Sequence, residues 1–419
     1  MKTRCATVSF KTVGCRLNQA ETAVIRSSFE EAGFETVRFG KPCDICVIHG
    51  CVVTSKAMED SLRLARSVKN RYPDAFVILA GCATEFIKNE ARPAPAQINY
   101  LAGQKEKFNL PEICGTHLKS AENRATGQLP RFDTQRAIVK IQDGCDFRCA
   151  YCIVPSVRGP GKSRPEAEII EEISRLTLCG YPEIVLTGAN IGCYIDGSGR
   201  LPHLLEKVEA IPGLRRFRIS SLEIATVEKE VIDFMASSKK MCHFLHLPLQ
   251  SGSDKILQAM GRPYSAKKYC SIIEYAQKKL GVFGLGTDII VGFPGETDDD
   301  FRATEGMIRQ LPFSKLHVFS YSPRPGTTAF AMPDQIKAKD KNTRSVRLIE
   351  LGRDKRKKFA QSLVGKRTAI VVEKIKDDWA EGWTGEYIRA RVRGERLKRK
   401  QIIDLVCVSA QEDLLLGNL

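Results

Sequence analysis

The segment Ile141-Gln-Asp-Gly-Cys-Asp-Phe-Arg-Cys-Ala-Tyr-Cys152 constrains this chain more than any other, because it sets Cys145, Cys149 and Cys152 on one tight loop. Three thiolates at that spacing reach one iron–sulfur cluster and leave one iron without a protein ligand, and an open iron is a place for chemistry. The spacing would also mark one helix face, but Pro155, Gly159, Pro160 and Gly161 follow too soon for a helix of useful length. Zinc is the competing metal. It wants a fourth protein ligand, and no histidine or cysteine follows until Cys179.

A chain of 419 residues predicts two or three domains. Its formal charge of +16, from 65 Lys and Arg against 49 Asp and Glu, favours a polyanionic partner, with nucleic acid ahead of membrane. There is no transmembrane run, and Met1-Lys-Thr-Arg-Cys5 lacks the apolar stretch of a signal peptide, so a cytoplasmic protein with no membrane partner is expected. Fifteen cysteines in such a chain are unsuited to disulfides in a reducing compartment. Some should bind metal, and the others should be small buried apolar residues.

Residues 1–130 alternate β-rich apolar runs with helical patterns: strands over 7–13, 44–49 and 75–80, and helices over 20–32, 55–71 and 84–89. That order predicts a doubly wound parallel sheet. Gly14-Cys15, Gly50-Cys51 and Gly81-Cys82 each stand just past a strand. The carboxyl ends of parallel strands share one edge, where ligands bind, so Cys15, Cys51 and Cys82 can converge there. Gly192-Cys193 warns that the dipeptide alone proves nothing. Cys43 and Cys46 have the spacing of a redox or zinc pair, but Cys46 lies within a strand, roughly 16 Å of extended chain from Cys51. They are expected to be core cysteines, as are Cys5, Cys114, Cys179, Cys242, Cys270 and Cys407.

In the centre, a strand over 137–141 runs into the cysteine loop, and further strands over 183–186, 216–219, 243–247, 286–291 and 315–320 follow. Each delivers polar or glycine-rich residues at its carboxyl end, including Thr187-Gly-Ala-Asn190, Ser220-Ser-Leu-Glu223 and Pro248-Leu-Gln-Ser-Gly-Ser253. A β/α barrel builds its active site this way. Past a charged helix over 344–363, the tail predicts strands over 368–373, 383–388 and 404–409. Between the last two lies a run over 389–400 with seven basic residues and one acid.

Cys145-x3-Cys149-x2-Cys152 and the blocks around it resemble the signature of the radical S-adenosylmethionine enzymes. With Cys15, Cys51 and Cys82 upstream and a basic β-rich tail, the chain resembles the methylthiotransferases from end to end. Lys11-Thr-Val-Gly-Cys-Arg-Leu-Asn-Gln-Ala-Glu21 and Arg158-Gly-Pro-Gly-Lys-Ser-Arg164 resemble the branch that modifies N6-threonylcarbamoyladenosine in tRNA. The resemblance implies an α/β protein of three parts: an N-terminal doubly wound parallel-sheet domain over 1–130, a partial β/α barrel with a linker helix over 131–364, and a small β-barrel like a TRAM domain over 365–419. It implies two [4Fe-4S] clusters, one held by Cys145, Cys149 and Cys152 with S-adenosylmethionine on its open iron, the other, auxiliary and sulfur-carrying, held by Cys15, Cys51 and Cys82. Thr187, Gly188, Asn190, Ser220, Glu223 and Gln250 would line the S-adenosylmethionine site.

The expected partners are tRNA, gripped through its backbone by the basic tail, a reductant such as flavodoxin or ferredoxin, and a sulfur donor that the sequence does not identify. The expected reaction is methylthiolation of C2 of the modified adenosine next to the anticodon. Isopentenyladenosine in tRNA or a ribosomal protein aspartate are alternative acceptors. An iron–sulfur RNA-binding or sensor protein is the non-enzymatic alternative, disfavoured because a sensor needs no built cofactor pocket.

Overall fold

The structure is a computed structural model that describes residues 5–118 and 130–419. It divides into two compact units: residues 1–133 with 144–147 and 152–160, and residues 134–143 and 148–151 with 161–419. The division expected at residue 130 adjoins residues 119–129, which lie outside the described residues.

The first unit is built on a parallel sheet of β1 (Thr7–Thr12), β2 (Glu35–Val37), β3 (Ile45–Gly50), β4 (Phe76–Gly81) and β5 (Tyr100–Ala102), in the order β2-β1-β3-β4-β5. Helices α1 (Arg16–Glu31), α2 (Ser55–Arg71), α3 (Cys82–Asn89) and α4 (Leu110–Leu118) complete it. Alternation along β3 divides the core. Ile45 and Val47 pack with Phe10, Ile25, Phe29 and Leu110 on one face, while Cys46 and Ile48 pack with Ala65, Val68, Ala83 and Ile87 on the other. The sheet is therefore doubly wound, as expected. Its order reverses between β1 and β3, which is where such sheets open a crevice at their carboxyl edge. The three-residue edge strands β2 and β5 are too short to carry a period and were not expected. Helix α1 starts four residues before the expected residue 20, directly after Cys15, because Leu17 and Asn18 are already buried in its first turn.

Cys46 is fully buried, as a core cysteine should be, with Cys43 packed against the same core and 3.1 Å from Ser9 Oγ. Cys114, Cys242 and Cys407 are buried too. The expectation fails at Cys5 and Cys179, which are exposed, and at Cys270, which is half-buried. Cys179 caps the C-terminus of the helix Glu166–Leu178, beyond the apolar stripe that faces the core.

Six strands of the second unit, Arg136–Lys140, Glu183–Thr187, Arg216–Ile219, Phe244–His246, Gly284–Val291 and Lys315–Ser320, form its parallel part. They pair in parallel as two sets of three, joined by a parallel bridge between Phe217 and Met241. Arg136, Arg218 and Lys315 lie 5.9, 4.9 and 4.5 Å from the ring of Tyr387, and the Phe244 ring is 4.9 Å from it. Side chains from the first, third, fourth and sixth strands meet one ring only if the strands curve round a common lumen. This is the expected partial barrel.

Tyr387 comes from the tail. The helix Ala338–Ser362 leads into a closed five-stranded barrel in the order Arg367–Lys376, Trp379–Trp383, Arg389–Arg393, Leu414–Asn418, Ile402–Gln411, with Ile370, Val372, Ala390, Val392 and Leu405 inside. The strand expected over 383–388 is instead a turn. Thr384 and Ile388 close it by hydrogen bonds, and Tyr387 takes φ +66°, which stacks its ring on Trp383 and sends it into the lumen. Five of the twelve residues of the basic run, Arg389–Arg393, form a strand, with Ala390 and Val392 inward.

Glu183 fastens this end of the lumen. It is fully buried, accepts from Arg216 Nε and Arg218 Nε, both at 2.6 Å, and the same arginines donate to the backbone oxygens of Ala369, Trp383 and Thr384. Burial opposes its charge, but the Arg216 and Arg218 guanidiniums prevail and hold the carboxyl far below the usual range. Glu183→Ala leaves buried guanidiniums unpaired and should destabilise the protein by about 3–5 kcal/mol, read as a lower denaturant midpoint, whereas Glu183→Gln should lose less.

Candidate active site

Cys15, Cys51 and Cys82 stand at the carboxyl ends of β1, β3 and β4, three adjacent strands. The turn after β1 approaches Cys51 so closely that a Cβ on Gly14, which has φ +107°, would fall 2.6 Å from Cys51 Cβ. Only glycine permits that backbone at that distance. Cys15 is exposed; Cys51 and Cys82 are buried. Burial pushes the Cys51 thiol up to about 11, with Cys15 and Cys82 adding to the rise. Cys82 is raised mainly by burial, opposed by Arg158, and its Sγ accepts from Gln104 Nε2 at 3.4 Å. The sheet thus brings the predicted thiols together.

Behind them lies a buried charge cluster. Arg158 donates to both carboxylate oxygens of Glu21, at 3.2 and 3.1 Å, and to Asn18 Oδ1 at 2.8 Å. Lys107 Nζ lies 2.7 Å from Glu21, and His49 Nε2 lies 3.5 Å from it. Asn18 also donates to the carbonyls of Val13 and Gly50, tying the turn before Cys15 to that before Cys51. Arg158, from one of the two segments singled out in the sequence, therefore meets Asn18 and Glu21 of the other. Arg158 and Lys107 place positive charge where three thiolates would gather.

The second cysteine set occupies a loop, not a helix, and all three side chains are half-buried. Cys145 and Cys152 belong to the first unit and Cys149 to the second. Cys145 N donates to Gly159 O at 3.1 Å, and a Cβ on Gly144, at φ +68°, would overlap the Pro160 carbonyl at 1.9 Å. Farther on, Ala150 N donates to Met260 O and Ala150 O accepts from Ala329 N. Arg262 Nη1 donates to Cys149 Sγ at 3.1 Å and its Nη2 pairs with Glu223. Sequence reasoning missed Arg262, because nothing local marks an arginine 113 residues away as a cysteine's partner.

The remaining predicted residues line the carboxyl ends of the barrel strands. Thr187 ends its strand buried. Asn190 N donates to Gln142 Oε1 at 2.8 Å, and Gly188 lies so near Gln142 that a Cβ would fall 2.7 Å from its carbonyl oxygen. Gln250 is buried with φ +62°, held by Asp288 O and Ile290 N. Ser220 Oγ and Glu223 Oε1 are buried with no hydrogen-bond partner. Burial keeps the Glu223 carboxyl raised against the pull of Arg262. Unsatisfied buried groups at strand ends, beside tight glycine turns, fit a polar ligand such as S-adenosylmethionine.

A basic cleft of about 820 Å³ was not foreseen. Arg215, Arg216, Lys239, Lys240, His243 and Arg367 line it, with Glu386 and Asp404. Its residues come from six separated segments, so no run in the sequence announces it. Among the described residues no helix is long and apolar enough to cross a membrane.

A three-cysteine loop leading into an incomplete barrel of parallel strands defines a radical S-adenosylmethionine enzyme, and the model of the Radical SAM superfamily matches residues 139–308. Residues 7–103 match a family described as Uncharacterized protein family UPF0004. The chain is 33% identical to the threonylcarbamoyladenosine tRNA methylthiotransferase of Bacillus subtilis, covering 93% of this chain and 91% of that protein. It is 34% identical to the tRNA-2-methylthio-N(6)-dimethylallyladenosine synthase of Thermodesulfovibrio yellowstonii, over 90% and 89%. The chain belongs to the radical S-adenosylmethionine tRNA methylthiotransferase family. In fold it resembles a radical S-adenosylmethionine methyltransferase from Kitasatospora setae, with TM-score 0.56, 13% identity and coverage of 78% and 75%.

The thiol environments predict an order of reaction. In metal-free protein, iodoacetamide should label exposed Cys15 before Cys51. The Cys51 rate should rise about tenfold per pH unit between pH 8 and 10, because its thiolate fraction does so below its pKa. Peptide mass spectrometry reads this, and a flat Cys51 profile would contradict the assigned burial.

Proposed function

We propose that this protein methylthiolates C2 of N6-threonylcarbamoyladenosine next to the anticodon of tRNA, in the cytoplasm, drawing electrons from a flavodoxin or ferredoxin. Identity alone does not choose the N6 group, since relatives named for threonylcarbamoyl and for dimethylallyl substrates match equally well. The observation that favours threonylcarbamoyl is the wall of the lumen, which carries His246, Asp288, His317 and Lys315. A carboxylate, hydroxyl and ureido group gain hydrogen bonds from such a wall. A dimethylallyl group offers those polar side chains no hydrogen bond.

When bound, a cluster at Cys145, Cys149 and Cys152 supplies the electron that cleaves S-adenosylmethionine, and a cluster at Cys15, Cys51 and Cys82 carries the sulfur. In this reading Arg262 fixes Cys149 and Glu223 together. Ser220, Glu223, Gln250 and the turn Thr187-Gly188-Ala189-Asn190 hold S-adenosylmethionine. Arg158 and Lys107 offset the charge of the first-domain thiolates. The basic cleft and the outward arginines of Arg389–Arg393 grip RNA phosphates.

Nucleoside mass spectrometry of tRNA from a deletion strain tests the substrate. The methylthio group should vanish from threonylcarbamoyladenosine and return with the wild-type gene, leaving isopentenyladenosine unaffected; the reverse pattern would refute the choice. Arg262→Met should lower S-adenosylmethionine cleavage by about 10–100-fold, as loss of a residue that orients a metal ligand does. The 5′-deoxyadenosine formed under reductant measures it, and a wild-type rate would remove Arg262 from the site.

A further inference from the structure

Beside the Tyr387 ring, on the inner face of the barrel, side chains from three adjacent strands are aimed at one point. Asp288 on Gly284–Val291 is in register with His317 on Lys315–Ser320, and His246 is opposite Gly286, two residues from Asp288 and so on its face. Gly286 makes room for the imidazole, since a Cβ there would fall 2.6 Å from His246 Nδ1. His246 Nε2 and His317 Nδ1 each lie 3.0 Å from Asp288 Oδ1, and the three ligand atoms all fall within 4.8 Å of one another.

The two imidazoles differ. His317 Nδ1 makes a hydrogen bond with the carboxylate. His246 is only 8% exposed, and its Nε2 makes no hydrogen bond although it is at hydrogen-bond distance. A buried ring nitrogen left so costs about 1–3 kcal/mol unless something takes its lone pair. Ligands bound about 2.1 Å from one cation, at angles between right and tetrahedral, stand roughly 3.0–3.4 Å from each other, and both histidine nitrogens stand at 3.0 Å from the carboxylate oxygen.

We propose that His246 Nε2, His317 Nδ1 and the Asp288 carboxylate hold one divalent cation of the zinc type. Two imidazoles and a carboxylate form a borderline donor set that suits zinc over magnesium or calcium, and three protein ligands leave a position open. No thiol takes part, so the site is distinct from both cysteine sets. His317 is 41% exposed, so an oxygen ligand reaches the open position. That ligand is water in the free enzyme. During turnover it is an oxygen of the N6 substituent, a refinement that rests on the threonylcarbamoyl reading.

Calorimetric titration of zinc into holoenzyme whose thiols already hold iron and sulfide should show one site per chain. Asp288→Asn and His317→Gln should weaken it by at least about 10–100-fold, with iron content and thermal melting unchanged as evidence that the variants fold. Cobalt(II) in the same site should give visible ligand-field bands without thiolate charge transfer. Absence of zinc uptake by the wild type, equal uptake by both variants, or thiolate charge transfer would each overturn the proposal. No tRNA enters the experiment, so its failure would leave the substrate reading standing, and failure of that reading would leave the metal site standing.

Discussion

Parallel strand direction is the constraint on which both candidate sites depend. In the five-stranded sheet of the first unit and in the six barrel strands of the second the strands run one way, so their carboxyl ends collect on one edge and residues far apart in the chain become neighbours. Cys15, Cys51 and Cys82 meet because β1, β3 and β4 are adjacent and end together. Thr187, Ser220 and Gln250 follow three strands of the barrel for the same reason. An antiparallel arrangement of the same segments would send alternate sites to opposite edges.

Gathering thiols at such an edge raises an electrostatic difficulty that the sequence does not display. Burial and mutual repulsion both resist thiolates, as the raised thiols of Cys51 and Cys82 record. Arg158 and Lys107 counter this, yet a buried cation is itself costly without a partner. Glu21 supplies that partner and is shared by both. The cluster therefore keeps two positive charges near the thiols while satisfying each of them, which a solvent-exposed arginine could not do without screening.

Much of this was legible in the sequence because it is local or periodic. Cysteine spacing marks the loop, the unbroken apolar run at the start of Ile45–Gly50 marks a strand buried on both faces, and glycine before cysteine marks a tight turn at a strand end. What escaped is non-local. Arg262 reaches Cys149 only through the fold, and the charge cluster around Glu21 draws on four segments. At Tyr387 the failure has a different cause: Trp383 and Ile388 have high strand propensity, but the left-handed backbone at Tyr387 wins because it inserts the ring among Arg218, Phe244 and Lys315. Tertiary packing overrides local preference there.

That insertion also shapes what the lumen can accept. A ring closing one end removes the passage through the barrel and leaves the interior reachable from the carboxyl ends and the side of the last strand, where Phe319 and His317 are exposed. Charged side chains at the closed end are neutralised by Glu183 or packed against Tyr387. The polar groups above them, His246, Asp288 and His317, lack such cover. A layer of that kind is stable only if its members satisfy one another or are completed by a ligand. His246 Nε2 and His317 Nδ1 share one carboxylate oxygen of Asp288, so the layer has donor capacity left for a ligand that enters from the open side.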